Sequence, residues 1–211
     1  MALDHSLFIT ESEPRFRIVE AARKIFAEYG YEQASISKIC EAAGVNRAMV
    51  SYYHGGKPAL YRDIIDSASA EHLRALREGV YNVEGPLERL RVFIEINISY
   101  FDSEPELRSI FDREIGSNFN RAGDIMGNYF IQIIAVLTDV IQQGVDSGCF
   151  DEAVAPINIA LLVIGALNMQ NTLNSFAKRM RLDKQKDYSE ESIDVDQAYD
   201  FILNGISSKK N

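Results

Sequence analysis

The chain is poor in the groups that metal sites, disulfide scaffolds and covalent catalysis require. Its 211 residues include two cysteines, Cys40 and Cys149, which lie too far apart in sequence to suggest a framework, so reduced thiols are expected. Its three histidines, His5, His54 and His72, show neither an HExxH nor a Glu-x-x-His spacing, so no metal site is expected. No nucleophile motif or clustered histidines appear, so neither enzymatic activity nor a cofactor is expected. The longest apolar run, 159–167, has nine residues, against the roughly 20 that span a bilayer. No signal peptide is read, and these features together predict a soluble, cytoplasmic protein without a membrane partner. No internal repeat, low-complexity tract or convincing alternating run is present.

What is there is helical period. Ile18, Ala22, Ile25, Phe26 and Tyr29 share one face of a helix expected over about 15–29, with Gly30 as its stop. Residues 1–13 read as a flexible N-terminus. The most informative stretch is 35–57. Ser35 is placed to cap a helix whose inward set is Ile36, Ile39, Cys40 and Ala43. Gly44 supplies the left-handed turn, Val45 returns to the core, and Asn46 can cap a second short helix held by Val50. Two short helices across such a turn form a helix-turn-helix, whose second helix enters the DNA major groove. Double-stranded DNA is therefore the expected partner. Asn46, Arg47, Met49 and Tyr53 point outward. Arg47 suits guanine edges, Asn46 a base or phosphate, and Met49 a thymine methyl. Tyr52, Tyr53 and Lys57 suit phosphate oxygens.

The net charge of −9 is unevenly spread. Residues 14–62 hold eight basic side chains against four acidic ones, a balance of +4, which leaves −13 to the rest of the chain. A basic head on an acidic body concentrates attraction for DNA on one surface.

The stretch from Arg17 to Tyr31, RIVEAARKIFAEYGY, resembles the first helix of TetR-family transcriptional regulators. The Ala43-Gly44-Val45 turn, Tyr52 and Lys57-Pro-Ala-Leu-Tyr61 resemble the rest of that family's DNA-binding domain. Ser147-Gly-Cys-Phe-Asp151 is similar to the loop before its eighth helix. Ser51 stands where many members carry Tyr, and His54 where Phe usually buries itself. The candidate DNA-binding set is Ser35, Ser37, Lys38, Asn46, Arg47, Ala48, Met49, Ser51, Tyr52, Tyr53 and Lys57.

The resemblance implies an all-α fold of about nine helices. A three-helix DNA-binding domain (14–57) precedes a larger ligand-binding and dimerisation domain (58–211). Further helices are expected from Pro58 to about Tyr81, over 87–101, after Pro105, over 122–145 and after Pro156. A charged connection over 178–191 and an Asp194/Gln197 capping box precede the last helix. The family pairs its last two helices with a second copy, which would place Gly165, Ala166, Tyr199, Ile202, Leu203 and Ile206 at a homodimer interface on a palindromic operator. It also implies a small-molecule cavity. The candidate ligand residues are Phe93, Asn97, Tyr100, Phe101, Phe111, Phe119, Met126, Tyr129, Phe130, Asn168 and Asn171, an apolar, amide-dotted mixture. Asp112, Arg113 and Glu114 are expected on a solvated face, with a charged inducer as the other reading. The implied function is a ligand-released repressor. The alternative is an all-α small-molecule-binding protein or enzyme that kept a vestigial helix-turn-helix.

Overall fold

A computed structural model describes residues 13–180 and 195–207, with 170–180 as backbone only. Among the described residues the helices are α1 (Pro14–Gln33), α2 (Ile36–Ala43), α3 (Arg47–His54), α4 (Lys57–Tyr81), α5 (Pro86–Ser103), α6 (Pro105–Gly116), α7 (Gly123–Asp146), α8 (Pro156–Met180) and α9 (Val195–Ile206). Most of the charged connection and Asp194 of the capping box lie outside the described residues, while 178–180 belong to α8. Extended pairing among the described residues is confined to one bridge between Phe150 and Ser207.

The chain forms two compact units. The first holds residues up to Ser69 together with Glu104–Met126, and the second holds Ala70–Ser103 and the residues from Gly127 onward. Helices α4 and α7 each contribute to both.

In the first unit, α1 packs on α2, α3 and α6. Ile18, Ala22 and Phe26 are fully buried with Ile39 and Val50, the apolar stripe of an amphipathic helix meeting its partners. Ile36 and Val45 are only half-buried. Gly30 does not end α1. It breaks the helix with a left-handed φ of 74° and ψ of 168°, and the chain continues helically to Gln33. The break lets Tyr31 turn inward, where it meets Phe26 and Tyr61, each with ring centroids 5.0–5.9 Å apart.

In the second unit, α4 and α5 are tied to α7 by Arg77 Nη2 donating to Gln132, Tyr81 Oη donating to Asp139, and Arg89 bonding Gln143. Helix α9 packs on α5, with Arg91 paired to Asp196 and lying over the Tyr199 ring. Helix α7 has the length and apolar composition to cross a membrane, and 39% of the residues in its apolar window are buried within the chain. Tyr129, Ile133, Val136, Leu137, Val140 and Ile141 form its buried face, as expected of a core helix.

Candidate functional sites

The helix-turn-helix is built by local chemistry. Ser35 Oγ accepts from Lys38 N at 3.2 Å and Asn46 Oδ1 accepts from Met49 N at 3.0 Å, capping α2 and α3. Between them Gly44 adopts φ 64° and closes α2. Val50 and His54, one turn apart, are the buried residues of α3. His54 therefore occupies an inward position, and its Nδ1 lies 3.2 Å from Asp63 Oδ2 on α4. The outer side of α3 is open. Asn46, Arg47, Ala48, Ser51, Tyr52 and Tyr53 are exposed and Met49 is half-buried. Tyr52 is 83% exposed, far more than a packed tyrosine would be.

Arg47 does not wave free. Its Nη2 donates to Ser37 Oγ on α2 at 2.7 Å, which holds a planar five-donor group at the start of the helix. Lys38 Nζ sits 3.8 Å from the Tyr29 ring centroid and Lys57 Nζ 4.3 Å from that of Tyr31. Lys57 also donates to Glu32 O at 3.4 Å. The candidate DNA set is thus brought together on one unit, its two lysines resting on aromatic faces and its arginine held by Ser37. What sequence reasoning missed is the Ser37–Arg47 contact, because a ten-residue separation across a turn leaves no periodic signal.

A second site is a small cavity in the second unit. Its lining is Asn97 and Phe101 of α5, Tyr129, Phe130 and Ile133 of α7, and Ile164, Leu167 and Asn168 of α8, around a space of about 20 Å³. Asn97 Nδ2 donates to Phe93 O at 2.8 Å, which leaves its Oδ1 as the atom available to a guest. Beside it lies His72, fully buried, with Nδ1 2.6 Å from Tyr129 Oη and its ring stacked on Tyr100 at 4.5 Å. Burial pushes the His72 imidazole down to about 4 and raises the Tyr129 phenol, so the pair is neutral near pH 7.

Five of the candidate ligand residues, Asn97, Phe101, Tyr129, Phe130 and Asn168, line this cavity. Phe93 is fully buried and Tyr100 half-buried without lining it. Phe111, Phe119 and Met126 belong to the first unit, Phe111 and Met126 buried and Phe119 38% exposed. The side chain of Asn171 lies outside the described residues. Aromatic composition marks core and cavity alike, so sequence could not separate these groups. Ile133, Ile164 and Leu167 gave no signal distinct from core, and neither did His72, which stands one turn before Leu76 on the apolar face of α4.

The expectation that Glu114 lies on a solvated face is corrected. It is fully buried, accepting from Tyr61 Oη at 3.1 Å and from the backbone N–H groups of Arg121 and Ala122 at 2.7 Å each. Three donors satisfy a carboxylate that water would otherwise have to.

Of the candidate dimer residues, Gly165 and Ala166 are exposed, Tyr199, Ile202 and Leu203 half-buried, and Ile206 buried within its own unit. The same two helices leave Ile157, Leu161, Leu162, Met169 and Phe201 exposed, Phe201 by 83%. Among the described residues, no group of three or more His, Cys, Asp or Glu is placed to hold a metal.

Comparison with known proteins gives one answer. Residues 18–64 match the family described as "Bacterial regulatory proteins, tetR family". The HTH-type transcriptional repressor NicS of Pseudomonas putida is 26% identical over 179 residues, 81% of this chain and 84% of that protein. The fatty acid metabolism regulator protein of Bacillus subtilis is 24% identical over 139 residues, 64% of this chain and 72% of that one. Over its first three curated relatives the chain spans 63, 84 and 72% of their lengths. In structure, the transcriptional regulator FadR from Bacillus subtilis in complex with stearoyl-CoA superposes with a TM-score of 0.75 at 17% identity, covering 90% of this chain and 98% of that one. The capped helix-turn-helix, its outward arginine and the match over 18–64 agree: the chain carries the helix-turn-helix domain of the tetR family of bacterial regulatory proteins.

Proposed function

We propose that the protein works as a cytoplasmic homodimer, a repressor held on a palindromic operator until a small, largely apolar molecule enters the second unit; it is not an enzyme. In this reading residues 14–57 read DNA, and 58–211 hold the ligand and the partner copy. The observation that carries it is the outer face of α3, where Arg47 is held by Ser37 beside an 83% exposed Tyr52. A fold with no DNA to read would have no use for a fixed guanidinium next to a stranded phenol. Arg47 reads a base edge, while Tyr52, Lys38 and Lys57 hold phosphates.

The exposed apolar side chains of α8 and α9 support pairing with a second copy, because a patch of this kind is costly on a free surface. Gly165 and Ala166 would let the two backbones approach closely. Phe201 joins Ile202 and Leu203 as a contact, whereas Ile206 is spent within its own unit.

The cavity supports a ligand whose body is apolar and which offers a hydrogen-bond donor to Asn97 Oδ1. A long acyl chain, as in the stearoyl-CoA of the FadR complex, has such a body. At about 20 Å³ the space holds little more than one water, whereas a small-molecule site needs roughly 300–1,000 Å³. A guest must therefore displace side chains of the lining, and binding becomes coupled to rearrangement, as release of DNA requires.

The test is selection of DNA fragments from a random library by the full-length protein at moderate salt. The expected product is an inverted repeat with half-sites about one helical turn apart or slightly more. Recovery of unrelated sequences would defeat the DNA-reading claim, and recovery of single half-sites would defeat the dimer.

A further inference from the structure

Helix α6 stands far from the helix-turn-helix in sequence, yet it packs on α1 within the same compact unit. The contact is specific. At Gly30 the backbone leaves helical φ/ψ, which interrupts the regular ladder just beyond Ala27 and Glu28. Arg113 of α6 meets the carbonyls there, its Nη2 donating to Ala27 O at 3.1 Å and Glu28 O at 3.3 Å, while Ser109 Oγ donates to Ala27 O at 3.1 Å. A Cβ on Gly30 would lie 3.1 Å from Arg113 Nη1, so glycine there also makes room for the guanidinium. Beyond the break, Arg121 pairs with Glu32 and lies over the Tyr31 ring. Arg121 is held in turn through its backbone N–H by buried Glu114, the neighbour of Arg113.

The break separates two tyrosines that each carry a lysine of the DNA face: Lys38 rests on Tyr29, and Lys57 on Tyr31. Whatever fixes the backbone on both sides of Gly30 therefore fixes the spacing of those two cations. We propose that Arg113 is a positioning residue for DNA reading: by capping the break in α1 it holds Tyr29 and Tyr31, and with them Lys38 and Lys57, in the placement that meets phosphates, and makes α6 a working part of the reading head. The inference rests on the DNA-reading assignment above. It adds that the working head extends to residues 104–126.

The test is a double-mutant cycle on the full-length protein with the selected operator. It compares the wild type, Arg113→Ala, Arg113→Lys, Lys57→Ala and the Arg113→Ala/Lys57→Ala pair. Losing charge-assisted bonds at the cap should weaken operator binding about tenfold in Arg113→Ala. Arg113→Lys, which can still donate to a carbonyl, should recover most of that loss. Because the arginine acts through the lysine's placement, the double variant should bind nearly as Lys57→Ala alone. A generally destabilised head would instead multiply the two losses and would not be rescued by lysine. Should Arg113→Ala fail to fold, Ser109→Ala takes its place in the same cycle with a smaller loss. An Arg113→Ala protein that binds like the wild type, a multiplicative double variant, or a lysine variant as poor as alanine each overturns the proposal while leaving the DNA-reading assignment intact. A wild type that binds no operator overturns both.

Discussion

At the scale of residues, the groups that could be read from sequence are those whose partners lie three or four positions away. Ser35 and Asn46 cap their helices as their spacing requires, since a side-chain oxygen bonding the N–H three residues on is a local event. Glu114 and His72 could not be read, because their partners lie far along the chain: Tyr61 and residues 121–122 for one, Tyr129 for the other. His72 carries a testable consequence. Burial disfavours the imidazolium and pushes its pKa from the ordinary 6.5 down to about 4. The unfolded chain therefore takes up this proton first as pH falls. Stability from this site is intact above about 6.5 and is lost progressively towards about 4, by on the order of 3 kcal/mol. His72→Asn, which takes up no proton, should lose less stability than the wild type between those limits in denaturant titrations. Identical pH dependences would contradict the assignment. Asp124 also loses its contribution as pH falls, but lower on the scale. The hydrogen bonds from Arg62 hold its carboxyl down to about 2, so that contact survives through this window and does not obscure the measurement.

At the scale of elements, helical period anticipated the helices seen among the described residues, and the departures are physical. Helix α1 outruns its expected stop because Gly30 redirects the chain and helical bonding resumes beyond it, Ala34 N donating to Gly30 O, while α6 side chains cap the interruption from outside. No signal in the first helix announces a cap supplied some eighty residues later. The Ser147–Asp151 loop has a plain rationale: it lays Phe150, 1% exposed, against Gly144 of α7. A Cβ on Gly144 would sit 1.9 Å from Phe150 Cδ2. Alanine is favoured over glycine inside a helix by about 1 kcal/mol, but the overlap forces a buried ring aside. Gly144→Ala should therefore lower stability by about 1–3 kcal/mol, seen as a lower denaturant midpoint. An unchanged or raised midpoint would mean the ring has somewhere else to go.

At the scale of the whole molecule, the +4 balance of residues 14–62 within a chain of −9 confines attraction for DNA to the unit that carries α3. The acidic remainder disfavours misplaced binding. The same division explains what composition could and could not say. The reading head is legible because its chemistry is outward and its motif local. The cavity is legible only in part, since three of its supposed lining residues, Phe111, Phe119 and Met126, belong to the other unit. In the proposed function α3 reads sequence through Arg47. It is tested most directly by the ratio of affinities for the selected operator and a scrambled duplex of equal length, measured at one salt concentration for the wild type and Arg47→Ala. The wild type should show a strong preference that Arg47→Ala reduces by about 1–3 kcal/mol, with relaxed choice at one base pair of each half-site and an unchanged salt slope. A ratio unmoved by Arg47→Ala, or a wild type that binds both duplexes alike, would contradict it.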